Sequence, residues 1–223
     1  MPNNIDAAFC SSKFNECFVF ARGKYVVVNY APGEKKNQII SGPTNFVDGF
    51  PMFAKTPFQY QIDSSFDAGD NVAFFFSRDQ CVKTNYSPDS PSAKPRLLQA
   101  PTPIRVMFPC LEGTIFENGI DAILRAPNPI CVYLFKGDQA GTLVFNSNTI
   151  VDIARICDYN TFIPFIGTVF EGGIDAAFNS HVGDEVFIFK GPYYAHYDVK
   201  KNQFLNGIIK RISDDWPALQ SIL

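Results

Sequence analysis

Gly113-Thr114-Ile115-Phe116-Glu117-Asn118-Gly119-Ile120-Asp121-Ala122 recurs 54 residues later as Gly167-Thr168-Val169-Phe170-Glu171-Gly172-Gly173-Ile174-Asp175-Ala176. A match of that length within one chain marks a repeated unit. Its Ile-Asp pair occurs twice more, in Ile5-Asp6-Ala7-Ala8-Phe9 and Ile62-Asp63-Ser64-Ser65-Phe66. Asp6, Asp63, Asp121 and Asp175 are then 57, 58 and 54 residues apart, and the 48 residues after Asp175 make a nearly complete fourth unit. The units divide a single domain, 1–223, at about 4–58, 59–116, 117–170 and 171–223.

Each unit repeats one internal order. After the short Ile-Asp strand comes a strongly apolar second strand: Cys17–Phe20, Val72–Phe76, Cys131–Phe135 and Val186–Phe189. Aromatic and β-branched runs of this length read as strands. A turn leads to a third strand, at Tyr25–Tyr30, Cys81–Tyr86, Leu143–Phe145 and Tyr193–Asp198. An apolar-Pro pair closes each unit: Phe50-Pro51, Phe108-Pro109, Ile163-Pro164 and Trp216-Pro217. Proline cannot donate within a ladder, so the pair suits an outer fourth strand running into a short helical turn. Four strands per unit, four times over, predict an all-β chain folded as a four-bladed β-propeller. A linear solenoid would need polar caps, and units one and four look like ordinary members.

Composition narrows the function classes. Hydrophobic residues are 46% of the 223, enough for a substantial core, and 23 are Phe. A net charge of −3 gives no field to attract nucleic acid. No apolar run approaches the length of a spanning helix, so no membrane role is expected. The opening Met1-Pro2-Asn3-Asn4-Ile5-Asp6 shows neither a basic nor an apolar leader segment. Cys10, Cys17, Cys81, Cys110, Cys131 and Cys157 sit mostly within apolar runs and form no Cys-x-x-Cys, so free buried thiols in a reducing compartment are expected. Without an entry signal, the Asn85-Tyr86-Ser87 glycosylation pattern reads as chance. His-Glu-x-x-His, Gly-x-Ser-x-Gly and a phosphate-cradling glycine loop are all missing, which gives an enzyme no support.

Ile-Asp-Ala-Ala-Phe at the head of a unit, Val186-Phe187-Ile188-Phe189-Lys190-Gly191-Pro192-Tyr193-Tyr194-Ala195-His196-Tyr197-Asp198 in its middle and Trp216-Pro217 near its end resemble the haemopexin repeat. The chain as a whole resembles the albumin-2 family of legume seed proteins. Unit two departs from the pattern with Ser64-Ser65, and unit three with Ile123-Leu124 and Gly141-Thr142-Leu143-Val144-Phe145. The resemblance implies a haemopexin-like propeller in a cytosolic seed protein, often a homodimer, that binds spermine and haem and holds ions in its central tunnel. Haemopexin domains often tie the first blade to the last by a disulfide. Unit four has no cysteine, so closure here must rest on packing.

The innermost strand of each blade has one edge without a partner, which gives the tunnel a physical reason to hold water or ions. The resemblance implies main-chain oxygens of Asp6, Asp63, Asp121 and Asp175 as ligands of a calcium or sodium ion, with chloride as another tunnel ion. Carbonyls of Ala8, Ser65, Ile123 and Ala177 are expected to line the next layer. The alternative is that the Asp side chains brace blade junctions and water fills the tunnel. His181 and His196 are the two histidine candidates for haem iron, with Cys81 or Cys110 as supplements. The other reading of each histidine is a locally hydrogen-bonded or solvated ring, and His181, in a turn, is expected to be exposed. Spermine needs carboxylates and aromatic faces along a groove. Asp67, Asp70, Glu117, Asp184 and Glu185 are scattered in turns, and nothing in their spacing brings them together. The function expected is a ligand-binding seed protein, with polyamine or stress sensing as its use. A nutrient reserve and a protein-interaction propeller are the alternatives.

Overall fold

The fold is given by a computed structural model that describes residues 4–30, 37–86, 95–205 and 209–223. Met1-Pro2-Asn3 and Ser87 of the glycosylation pattern lie outside these residues. Four antiparallel sheets follow one another along the chain, each with its strands in sequence order from the axis outward. The first holds β1 (Ala7–Cys10), β2 (Glu16–Ala21), β3 (Lys24–Asn29) and β4 (Gln38–Asn45). β5 (Ser64–Gly69), β6 (Val72–Ser77), β7 (Gln80–Asn85) and β8 (Arg96–Pro103) form the second. The third contains β9 (Ala122–Arg125), β10 (Cys131–Lys136), β11 (Gln139–Val144) and β12 (Thr149–Arg155). In the fourth, β13 (Ala176–Asn179), β14 (Glu185–Lys190) and β15 (Tyr193–Asp198) are edged by two short strands, β16 (Gln203–Phe204) and β17 (Lys210–Arg211), both paired with β15. This is the four-bladed propeller expected from the repeat. Among the described residues no helix is long and apolar enough to cross a membrane.

The second strands are apolar without interruption because both faces of each blade are buried. Alternation survives in side-chain size: one face of blade one carries Phe9, Phe18 and Phe20, and the other Ala8, Val19, Val26 and Val28. Blade four turns Phe178, Phe187, Phe189 and Trp216 one way and Ala177, Val186, Ile188 and Ala195 the other. Each blade packs one of these faces against the next blade, giving four apolar cores, one per junction; between blades one and two Phe75 and Tyr86 bring rings from both sides.

The blade ends explain the prolines. β4 runs into the one-turn helix α1 (Phe46–Gly49), β8 into α2 (Ile104–Met107) and β17 into α3 (Ile212–Asp215). A tighter helical turn follows each, opened by Pro51, Pro109 or Pro217, where a missing N–H leaves no bond unmade. Blade three differs. There two stretches of tight helix, Ile156–Asp158 and Asn160–Phe165, replace the one-turn α-helix and its successor; the second buries Phe162 and Phe165, whereas Ile163 is exposed. The residue equivalent to Phe50, Phe108 and Trp216 is therefore Phe162, one position before the expected Ile163-Pro164 pair. The third strand of this blade also begins earlier than Leu143, at Gln139. Ala140-Gly141-Thr142 lacks the bulky residues that mark its counterparts. Gly141 is small because the Phe116 ring lies on it; a Cβ there would come within 2.6 Å of that ring.

The repeated Gly-Thr-x-Phe-Glu motif is a capping device. Thr114 and Thr168 accept the N–H of Phe116 and Phe170, while Glu117 and Glu171 reach back to the N–H of Gly113 and Gly167. Gly173 has φ 124°, and a Cβ on it would lie 2.6 Å from the Gly137 carbonyl of the preceding blade. A blade junction thus accounts for Gly173.

The ring closes by the same packing that joins its other blades. Trp216 of blade four sits edge-on to Phe178, Phe187, Phe189 and Tyr194, in the core shared with Val19, Val26 and Val28 of blade one. All six cysteines are free thiols. Phe50 has the corresponding place in blade one, against Phe18, Phe20, Tyr25, Phe53 and Phe75. Replacing it with alanine is expected to cost roughly 3–5 kcal/mol, read as a lower urea midpoint at unchanged m-value. An unchanged midpoint would mean that the aromatic junctions do not hold the blades.

Candidate functional site

The axis is lined by β1, β5, β9 and β13, and its two ends are built differently. At the end where these strands begin, each Asp N–H donates to the second-strand carbonyl of Phe20, Phe76, Phe135 or Phe189, at 2.8 Å in every blade. The following residue pairs with that same Phe, so two residues oppose one and each strand opens on a bulge. The bulge re-aims the Asp side chain across the blade. Oδ2 of Asp6, Asp63, Asp121 and Asp175 accepts the N–H of Arg22, Arg78, Gly137 and Gly191 at 2.8, 2.5, 2.8 and 2.7 Å. These carboxylates therefore brace the turn between the second and third strands of their own blade.

The same four carboxylates share a cavity of about 510 Å³, with Tyr60 and Arg22 on its rim. Asp63 also takes Gln61 Nε2 at 2.5 Å, and Asp175 takes Lys190 at 2.8 Å. Burial raises the Asp6 carboxyl above its ordinary value, and the charges of Asp63 and Asp175 add to the rise against the lowering by Arg22. Mutual repulsion among the acids is thus felt across the mouth.

Below them the tunnel narrows. Ala8, Ser65, Ile123 and Ala177 line a constriction of about 10 Å³, room for roughly one water. Ser65 is 2% exposed, and its hydroxyl has no protein partner among the described residues.

The far end was not legible as a site. A cavity of about 430 Å³ there includes Cys10, Asp67, Arg125, Asn179, His181 and Asp184. Polar bonds cross every blade junction around it. Ser12 N–H donates to Tyr86 Oη at 2.8 Å, joining blades one and two, and Tyr86 in turn donates to Asp67 at 3.0 Å. Arg125 lies 3.8 Å from Asp67, across blades two and three. Asn179 accepts the Arg125 N–H at 2.8 Å and donates to its carbonyl at 3.1 Å, joining blades three and four. Burial dominates at Asp67 and raises its pKa in spite of Tyr86 and Arg125.

His181 completes the belt at the junction of blades four and one. Nε2–H donates to Ser11 O at 2.7 Å, and Nδ1 accepts from Tyr30 Oη at 2.6 Å and from Asn15 N–H at 3.2 Å. Tyr30 Oη accepts the His181 N–H at 2.7 Å. Burial pushes the Tyr30 phenol up to about 12, so it remains a donor. His181 is half-buried, not exposed as the turn sequence implied.

His196 lies flat on Phe187, with ring centroids 4.3 Å apart and planes 7° apart. Its Nε2 is 2.8 Å from Glu185, close enough for an ion pair but off the line of a good hydrogen bond. Burial lowers its pKa from 6.5 and Glu185 opposes that shift. Cys81 is fully buried with its thiol pushed up to about 12, and burial also raises Cys110. His181, with both ring nitrogens engaged, and the two thiols, held protonated, do not fit an axial haem ligand, whereas His196 keeps its Nε2 without a well-aligned hydrogen bond. Of the scattered acids, Asp67 and Asp184 meet at the far cavity, Glu185 pairs with His196, Glu117 caps a turn beside Arg105, and Asp70 is an exposed turn residue.

The haemopexin family model matches residues 174–221. Albumin-2 of Pisum sativum is 42% identical to the chain, over 98% of this sequence and 96% of that one. A seed albumin from Lathyrus sativus, LS24, superposes with a TM-score of 0.92 at 40% identity, covering 100% of this chain and 98% of its own. A plant lectin from Cicer arietinum, described as having two metal-binding sites, gives a TM-score of 0.92 at 41% identity over 99% and 98% of the two chains.

Two outcomes test the histidine assignments. His181→Ala leaves the Ser11 carbonyl, the Asn15 N–H and the Tyr30 hydroxyl without their partner and is expected to cost about 1–3 kcal/mol in urea unfolding. By NMR titration His196 is expected to have its midpoint below 6.5, and Glu185→Gln to move it lower still. Because the neutral ring is favoured in the fold, its contribution to stability is present above the ordinary histidine value and lost as pH falls through the folded one. An upward move in the Gln variant would show that Glu185 is not a partner of the ring.

Proposed function

The chain belongs to the albumin-2 family of haemopexin-fold seed proteins, and from that footing we propose that it works by binding, not by catalysis, with cations held at the four-aspartate mouth of its axis. The observation that carries this reading is one carboxylate from each blade in a single cavity of about 510 Å³. A calcium or sodium ion suits hard oxygen ligands around an axis. The axis-facing edges of β1, β5, β9 and β13, which pair with no further strand of their sheets, supply the main-chain groups that such an ion would use. The Cicer arietinum lectin described as having two metal-binding sites lends support to an ion site in this fold.

A polyamine such as spermine brings several ammonium groups to the same carboxylates. Its length is placed in the mouth and along the rim, where Tyr60 is exposed. Calcium and spermine then compete. Haem has no part in this reading, which rests on the carboxylates of the mouth and on neither histidine.

Cation binding and proton loss are linked. With its pKa raised, Asp6 favours the fold most when protonated, below the ordinary value of 3.8, and that contribution is lost as pH rises through its folded value. A cation replaces the proton as the partner of the ionised group. Affinity is therefore expected to fall as pH drops into the range just above 3.8.

Calorimetric titration with calcium and with spermine, separately and in competition, tests the proposal. Asp63→Asn and Asp121→Asn keep an oxygen for the turn N–H and remove one charge each. Each is expected to weaken spermine about tenfold, or about 1.4 kcal/mol. Equal affinity in both variants, or no saturable heat with either cation, would overturn it.

A further inference from the structure

Cys10 and Cys17 face each other across β1 and β2. They are the one cysteine pair that strand register places directly opposite among the described residues. The adjacent pair, Ser11 and Glu16, is joined by a 2.8 Å bond from Ser11 N–H to Glu16 O. Hydrogen-bonded and non-bonded pairs alternate along an antiparallel ladder, so Cys10–Cys17 is a non-bonded pair. In such pairs the Cα atoms are roughly 4.5 Å apart and both side chains stand on one face, within the roughly 4.4–6.8 Å separation that a disulfide spans. Here the shared face is the core between blades one and four, where Cys17 is fully buried and Cys10 packs beside it. Cys10 also lines the far cavity of about 430 Å³, which gives a small oxidant a route to it.

We propose that Cys10 and Cys17 are a reversible redox pair, oxidised by a peroxide to a cross-strand disulfide and returned to thiols by a dithiol reductant. Cys10 is the sulfur that meets the oxidant. Its thiolate attacks one peroxide oxygen, the O–O bond breaks, and water leaves with the thiol proton, so that Cys10 becomes a sulfenic acid. Cys17 sulfur then attacks the Cys10 sulfur, the S–O bond breaks, and a second water carries off the Cys17 proton. Two thiols lose two electrons and one peroxide gains them.

Two features set the character of the pair. Burial, reinforced by the Asp67 charge and opposed by Arg125, pushes the Cys10 thiol up to about 12, and burial raises Cys17 well above 9.0. Thiolate is scarce at neutral pH, so oxidation is slow and quickens as pH rises. The second feature is position. Ser11, next in sequence to Cys10, offers the carbonyl that His181 holds, and Tyr30, which carries the other half of that contact, packs in the same core. A bond from Cys10 to Cys17 fixes blade one where the ring closes. This idea is independent of cation binding at the opposite mouth and can fail without it.

The full-length protein, treated with hydrogen peroxide, denatured, alkylated and cut with trypsin without reduction, gives the test. Lys13 separates the two cysteines, so peptides 1–13 and 14–22 each carry one of them and no other cysteine. The expected result is that these two peptides are recovered linked and part on dithiothreitol treatment. The oxidised protein is also expected to melt higher than the reduced one, a difference that Cys17→Ala abolishes while leaving Cys10 trappable as a sulfenic acid. Recovery of both peptides unlinked and alkylated, or of Cys10 as a sulfinic acid beside an alkylated Cys17, would overturn the proposal.

Discussion

Every blade of this protein is buried on both faces, and the rest of the structure follows from that constraint. A strand covered on one side can alternate apolar with polar; one covered on both sides cannot. Phe18-Val19-Phe20 and Phe187-Ile188-Phe189 therefore alternate in size, with aromatic rings on one face and branched aliphatics on the other. Rings packed on rings within a face, as Phe9 on Phe18 at 4.7 Å, contribute roughly 0.5–1.5 kcal/mol beyond their burial. Because each blade offers one apolar face to the blade before it and another to the blade after it, the last blade meets the first by the same packing that joins the other pairs. Closure needs no covalent link.

Stacking of this kind is non-directional, so something else must fix each blade's rotation about the axis. Polar bonds between blades do so, and the two ends of the inner strands differ in them. At one end the four Asp bulges repeat, with equal geometry, a bond from the inner strand to the next turn of the same blade. At the other end each junction has its own solution: Ser12 with Tyr86, Asp67 with Arg125, Asn179 with Arg125, His181 with Tyr30. The regular end could be inherited by duplication, since each bond closes within a blade. Bonds between blades had to be solved separately, because each junction has different neighbours.

That difference decides what the sequence makes legible. The Ile-Asp heads and the aromatic second strands recur at a fixed period, and from them the blade number, the strand order and the shared mouth of Asp6, Asp63, Asp121 and Asp175 can be read. The far belt cannot, as Cys10, Asp67, Arg125 and Asn179 occupy one repeat position with four different residues, and no pattern survives. His181 is hidden from the sequence for the same reason. A turn histidine looks exposed until the chain is closed and Tyr30, 151 residues away, arrives beside it. Blade three hides its third strand because Gly141 serves the Phe116 ring, a contact made by a neighbouring part of the repeat and invisible to local propensity.

At the four Asp residues a structural task and the binding task proposed for them fall on one side chain. Holding a turn N–H occupies Oδ2 and fixes the carboxylate in place, so the charge is positioned before any cation arrives. Preorganisation of this kind means that the ligand meets acceptors already ordered. It carries an opposing cost, visible at Asp6, where burial and the neighbouring acids disfavour the ionised form. Asparagine at all four positions would keep the turns and remove the repulsion. Aspartate therefore adds nothing to turn geometry that asparagine lacks, and what it adds is a negative mouth on the axis, a property whose use lies in what the mouth attracts.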